Sequence, residues 1–136
     1  MKIKNYTLIS MMNTLQNYSS KKLPQKISYA ITRNLMQFSK EYEVYDAQLN
    51  KIFSSYSDYM NKDEDGNVKV NQNGIPIVVD EVSEEYLEQI SDLLNIEIDV
   101  DIHYINPDIF DYEDKGIYDA MSAQDIMVLQ SILCEK

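Results

Sequence analysis

Apolar residues recur through the middle of this chain at alternating steps of four and three: Ile31, Leu35, Phe38, Tyr42, Tyr45, Leu49, Ile52, Tyr56 and Tyr59. That spacing keeps them on one side of an α-helix, and it holds over four heptads. No glycine or proline interrupts residues 25–65. The pattern therefore predicts one helix from about Pro24 to Met60, roughly 55 Å long. A rod of that length needs more cover than one short helix gives, so its seam meets the C-terminal half of the chain or another copy. Four of the nine seam residues are tyrosine, whose hydroxyls need partners when buried. A dry coiled-coil dimer favours Leu and Ile instead. Packing against unlike elements of the same chain is the preferred expectation, and a homo-oligomer through the long helix is the other.

The flanking patterns complete an α+β reading: a helical hairpin with one very long helix, a small antiparallel three-stranded sheet, and two further helices. Leu8, Met11, Met12, Leu15 and Tyr18 share a helical face over 5–18. Pro24 suits the first turn of the helix that follows. Residues 61–67, Asn-Lys-Asp-Glu-Asp-Gly-Asn, end the long helix, and Val68–Val70 and Ile75–Val79 around Asn73-Gly74 read as a β-hairpin. Pro76 places the second arm at a sheet edge or at its own start. Ser83 opens a third helix that buries Tyr86, Leu87, Ile90, Leu93 and Leu94. From Ile96 to Tyr104 apolar and polar residues alternate strictly, which predicts a half-buried strand joining the hairpin. Residues 106–116 read as an acidic loop or short helical turn. Ser122 and Asp125 have capping-box spacing at the start of a last helix with Ile126, Leu129, Ile132 and Leu133. No internal repeat is expected. The whole is read as a single domain over 1–136, with a helical part at 5–60 and a hairpin, helix and strand part at 61–136.

Charge is distributed unevenly. Residues 1–40 hold seven basic side chains and no carboxylate, and the remainder holds all 23 acids against five basic groups, for a net charge of −11 over 136 residues. Such a chain neutralises itself by folding its poles together, stacks with copies of itself, or offers each pole to a different partner. Nucleic acid is an unlikely main ligand for so acidic a protein, because phosphate contacts need a clustered basic face. A single cysteine, Cys134, excludes an internal disulfide framework and a cysteine-based zinc knuckle. No apolar run has the length to span a bilayer, so no membrane association is expected. The segment Met1-Lys2-Ile3-Lys4-Asn5-Tyr6 lacks the apolar stretch of a signal peptide.

Few residues have a pattern that points to chemistry. Asn61, Asp63 and Asp65 with Gly66 fit the start of a calcium loop, but Gln72 stands where a bidentate Glu is needed. An ordinary polar turn is the expectation there. Glu97, Asp99, Asp101 and His103 line the polar face of the predicted strand at about 7 Å intervals, where a cation or a general base is conceivable. No second histidine or ligand set supports that, and a solvated acidic face is the simpler reading. Cys134 has no electropositive setting to activate it, and the three glycines are not grouped into a phosphate cradle. No catalytic residue, metal or cofactor is expected.

Leu23-Pro24-Gln25-Lys26-Ile27-Ser28-Tyr29-Ala30-Ile31 with Asn34, and Glu97-Ile98-Asp99-Val100-Asp101-Ile102-His103 ending in Ile105, resemble the long helix and C-terminal strand of a family of small proteins of unknown function. That family is encoded by bacteriophages and prophages of low-GC bacteria. The Asp65-Gly66-Asn67 and Asn73-Gly74 turns fall between them in matching order. The resemblance implies a viral setting and no catalytic residues. Taken with the acidity, it leads to an expected non-enzymatic phage accessory protein in the cytoplasm of a bacterial host. It would bind a host or phage protein with a basic surface, such as a defence or nucleic-acid-processing protein, and inhibit it. The partner-binding residues expected are Glu97, Asp99, Asp101, His103, Asp108, Asp111, Tyr112, Glu113 and Asp114. The alternative is a virion structural or assembly protein that self-associates through its bipolar charge.

Overall fold

A computed structural model describes residues 1–136 as an α+β protein with four α-helices and a two-stranded antiparallel sheet. In chain order these are β1 (Lys2–Lys4), α1 (Asn5–Gln16), α2 (Gln25–Ser55), α3 (Asp80–Leu94), β2 (Glu97–Asp99) and α4 (Ala123–Leu133). The chain forms two compact units, one from Met1–Tyr42 with Glu97–Lys136 and one from Glu43–Ile96. Helix α2 begins in the first and ends in the second. No helix is long and apolar enough to cross a membrane.

The long helix is present as 31 residues, about 46 Å at 1.5 Å per residue, and stops five residues before Met60. Serines at 54, 55 and 57 explain the early end. They are weak helix formers, and Ser55 Oγ bonds back to the Lys51 carbonyl at 2.9 Å. Tyr56 and the single 3-10 turn Ser57–Tyr59 carry the chain away from the axis. Of the nine seam residues only Tyr59 is exposed. The seam is filled by this chain's own residues, as expected for packing against unlike elements.

In the first unit Ile27, Ala30, Ile31 and Phe38 of α2 bury with Leu8, Met12 and Leu15 of α1 and with Leu129, Ile132 and Leu133 of α4. Helix α4 starts with the predicted capping box, Ser122 and Asp125 each bonding the other's backbone N–H. Strand β1 pairs with β2 in the register Lys2↔Asp99, Ile3↔Ile98 and Lys4↔Glu97, so Ile3 and Ile98 share the inner face.

The expected three-stranded sheet does not form, and the 96–104 strand shortens to Glu97–Asp99. Its partner is the amino-terminal strand rather than the hairpin. The hairpin arms bond each other and residues 59–63 instead, so in the second unit they close into a ring. The amides of Asn61, Lys69 and Ile77 donate to the carbonyls of Ile77, Asn61 and Lys69 respectively, at 2.8–2.9 Å. Three antiparallel bridges, Met60↔Val78, Lys62↔Val68 and Val70↔Pro76, lie between those corners. The result is a closed triangle of backbone bonds, in which Asn61, Lys69 and Ile77 each use both amide and carbonyl. Pro76 fits it because the bonds flanking its bridge come from Asn71 and Ile77, so its missing N–H is not needed.

The triangle also corrects the expectation of no internal repeat. Asp63-Glu64-Asp65-Gly66-Asn67 and Asn71-Gln72-Asn73-Gly74-Ile75 are the same turn eight residues apart. In each, the first side chain accepts from the amides two and four residues on: Asp63 Oδ1 from Asp65 and Asn67, both at 2.9 Å, and Asn71 Oδ1 from Asn73 and Ile75 at 2.8 and 3.1 Å. Each turn closes through a glycine at positive φ, Gly66 at 83° and Gly74 at 78°. This is the three-residue hairpin loop that needs glycine in the left-handed region. Helix α3 begins at Asp80, three residues before Ser83, with Asp80 and Glu81 favourably in its first turn. Leu87, expected inside, is 52% exposed. Tyr86 and Ile90 of α3 bury with Tyr56 and Val78.

Candidate functional site

The polar side chains predicted at 97–114 divide by what the first unit does with them. Glu97 and Asp99 stand across the sheet from Lys4 and Lys2. The Met1 ammonium donates to Asp99 Oδ1 at 3.1 Å and to the Val100 carbonyl at 3.0 Å. Asp99 therefore belongs to a local neutralisation of the chain's poles, and Glu97 is exposed across the sheet from Lys4. A second junction joins residues 18–22 to 119–125. The Lys22 amide donates to Asp119 Oδ2 at 2.7 Å, the Asp119 amide returns a bond to the Lys22 carbonyl, and the Tyr18 hydroxyl donates to Asp125 Oδ1 at 2.8 Å. The Ser122 amide, then the Tyr18 hydroxyl, hold the Asp125 carboxyl below its ordinary pKa, and the Asp125 carboxylate raises that of Tyr18.

Past Val100, whose amide and carbonyl both bond Met1, the chain has no strand partner, and one side chain supplies what a strand would. Asn34 is fully buried on α2, where its Nδ2 donates to the His103 carbonyl at 3.0 Å and its Oδ1 accepts from the His103 amide at 2.8 Å. Its second N–H bonds the Ala30 carbonyl at 2.9 Å. The amide of Ile105 then donates to the Leu133 carbonyl. Held this way, the half-buried His103 ring stands edge-on to Tyr29 at 5.6 Å. Sequence reasoning missed Asn34. Its signal was a polar residue on the apolar face of α2, between Ile31 and Phe38.

Asn106 caps the following 3-10 turn, Pro107–Phe110, by accepting from the Asp108 amide, and Phe110 plugs into the core. That plug leaves Asp108 and Asp111 in solvent on either side. Tyr112 is half-buried and packs edge-on to Tyr118 at 5.5 Å; burial raises its hydroxyl pKa. Glu113 and Asp114 are exposed, and Asp114 Oδ1 accepts from the Gly116 amide. Asp101, Asp108, Asp111, Glu113 and Asp114 are thus five exposed carboxylates within residues 101–114, a stretch without Lys or Arg, and none makes an ion pair.

No three His, Cys, Asp or Glu side chains come together as a metal site. In the calcium-like segment Asp63 is spent on its turn. Cys134 is buried, and burial pushes its thiol pKa up. What the first unit presents over 101–114 is a run of exposed carboxylates, with the backbone tied to the core at His103, Ile105 and Phe110. No family model matches the chain, and no curated protein or solved structure matches it either. The class established is that of the fold alone: an α+β protein with a long helix and a small two-stranded sheet.

Proposed function

We propose that this chain is a non-enzymatic binding protein that presents residues 101–114 to a basic surface on another protein. The setting is that of a phage accessory protein acting on a host protein, in keeping with the resemblance of 23–34 and 97–105. One observation carries the reading: five exposed carboxylates without an ion-pair partner sit on a segment fixed by Asn34, the Leu133 carbonyl and Phe110. Fixed charge loses little entropy on docking. Carboxylates of one sign speed association with a cationic partner and make it sensitive to salt. Glu97 and Asp99, already opposite lysines, contribute less.

The test compares the wild-type chain with the Asp108→Lys, Asp111→Lys, Glu113→Lys, Asp114→Lys variant as bait in a bacterial lysate, at low and high salt. The expected result is a protein held by the wild type at low salt, released at high salt, and not captured by the variant. Capture that is indifferent to all four reversals rejects the acidic surface as the binding site.

A further inference from the structure

Two helix faces that the fold leaves outside carry opposite charges on matching spacing. On α2, the face opposite Ile27, Ile31, Asn34 and Phe38 reads Lys26, Tyr29, Arg33, Met36 and Lys40, in steps of three and four. All five are exposed, Tyr29 at 56% and Met36 at 64%, so two large apolar side chains stand in water between three cations. Arg33 donates to the Tyr29 hydroxyl at 3.1 Å and steadies the ring. Open clefts of about 290 and 240 Å³ flank that ring, one reaching Lys26 and His103 and the other Arg33 and Met36.

On α3, Tyr86, Ile90 and Leu93 are buried, and Glu81, Glu84 and Glu88 face outward, with Leu87 exposed at the edge of the same face. Glu81 and Glu88 are seven residues apart. So are Lys26 and Arg33, and Arg33 and Lys40. On two helices lying side by side, that repeat recurs at about the same 10.5 Å.

We propose that the α2 face of one protomer binds the α3 face of a second copy. Glu81 and Glu88 lie against two successive cations of the α2 face, and Leu87 enters a cleft beside Tyr29. Two large apolar side chains exposed between the cations distinguish this face from an ordinary solvated charged one and mark it as a contact surface. A second copy fits better than nucleic acid. Three cations on a chain of net charge −11 make a weak phosphate site, whereas α3 offers both the carboxylates and the apolar knob. Like faces repel, so the contact is heterologous, and successive copies close into a ring or extend as a filament. The surface shares His103 with residues 101–114, at the cleft beside Tyr29, but uses none of the five carboxylates on which the proposed partner binding rests, so different substitutions test the two.

The experiment is sedimentation velocity over a range of protein and salt concentrations. Wild-type chains associate at low salt, with affinity falling about tenfold or more at high salt toward the 15.9 kDa monomer. The triple variant Lys26→Glu, Arg33→Glu, Lys40→Glu stays monomeric, and so does Glu81→Lys, Glu84→Lys, Glu88→Lys. Mixed together, the two variants associate again, because each then meets a complementary face on the other. Circular dichroism and melting temperature confirm that both variants fold, as expected for exposed substitutions. A wild-type chain that stays monomeric at the lowest salt overturns the proposal, as does association indifferent to the reversals or a mixture that stays apart. So does a monomer that binds duplex DNA and loses that binding in the α2 variant.

Discussion

Residues 97–105 in the first unit and 59–79 in the second are both extended segments outside regular helix, and they satisfy their backbones by opposite means. The first borrows. Its partners are the amino-terminal strand, the Asn34 amide from α2 and the Leu133 carbonyl at the end of α4. The second bonds mainly to itself: six backbone bonds among three arms close the triangle, two copies of one side-chain-capped turn hold its tips, and the Tyr86 hydroxyl of α3 adds one bond to the Pro76 carbonyl. Borrowed partners tie a segment to the folding of everything around it. A closed local ring spreads the same work over equivalent parts, so no single side chain governs it. Of the five exposed carboxylates Asp101 lies on the borrowed segment and the other four follow it at 108–114, beside the anchors at Ile105 and Phe110, so their geometry depends on the core behind them.

The largest effect expected from a single substitution follows from that dependence. Asn34→Leu removes three hydrogen bonds at a fully buried site and leaves the His103 carbonyl and amide without their partner. Unsatisfied buried groups of this kind cost about 1–3 kcal/mol each, so a loss of roughly 3 kcal/mol is expected in urea unfolding. The His103 amide should also lose its protection from hydrogen exchange. Asn34→Asp keeps the acceptor for that amide and drops the donor, which separates the two halves of the clamp. If Asn34→Leu unfolds at the wild-type urea concentration, the extended segment does not depend on the clamp and the contrast between the units fails.

In the second unit the equivalence of the two turns is the quantity to test. Gly66→Ala and Gly74→Ala each force a β-carbon into the left-handed region, which costs about 1–2 kcal/mol. Neither position has a neighbour within 4 Å of the added carbon, so the cost is conformational alone. The two variants should therefore melt at nearly the same temperature. The double variant should show the sum of the two losses, since the turns share no side-chain bond. A marked inequality would mean that the eight-residue repeat is an equivalence of hydrogen bonds without an equivalence of energies.

Much of this arrangement was legible in the sequence where the signal was periodic. The seam from Ile31 to Ile52 gave the long helix and its inner face, although Tyr56 and Tyr59 continue the spacing past the helix end, and Ser122 with Asp125 gave the last helix its start, because heptads and capping boxes are short-range rules. Pairing partners were not legible. The alternation over 96–104 reports which residues point inward, and it says nothing of what bonds the backbone, so it does not distinguish the hairpin from Lys2–Lys4 as the neighbour. Lys2-Ile3-Lys4 is too short to announce itself as that neighbour. The repeat was visible in principle: Asp63 with Asp65-Gly66 and Asn71 with Asn73-Gly74 are the same Asx-x-Asx-Gly signal eight residues apart. Read separately, as a failed calcium loop and a hairpin turn, they concealed it. The charged residues were the least legible, because only the register decides that Glu97 and Asp99 face lysines while Asp101 and Asp108 do not.

The smallest expected effect distinguishes the units by their response to pH. The Asp125 carboxyl, in the first unit, is held below its ordinary value of 3.8 by the Ser122 amide and then by the Tyr18 hydroxyl. A depressed carboxylate stabilises the fold fully above its unfolded pKa, and that contribution disappears as pH falls through the folded one. Tyrosines respond in the opposite direction. Burial raises Tyr86 above 10.0, and it raises Tyr56 too, with help from the Glu85 carboxylate. A raised tyrosine contributes fully below 10.0, and its contribution is lost as pH climbs through the folded value. Tyr18 is raised as well, by Asp125. Acid should therefore loosen the first unit through Asp125, whereas alkali removes a contribution from both. Hydrogen exchange followed residue by residue below pH 3.8 checks this: amides around Ser122 and Tyr18 should gain exchange before those of Tyr56 and Tyr86. Asp125→Asn should remove that order, because its side chain still accepts a bond and carries no proton to gain. If the order persists in the variant, other carboxylates set the acid response and the Tyr18–Asp125 junction is incidental to it.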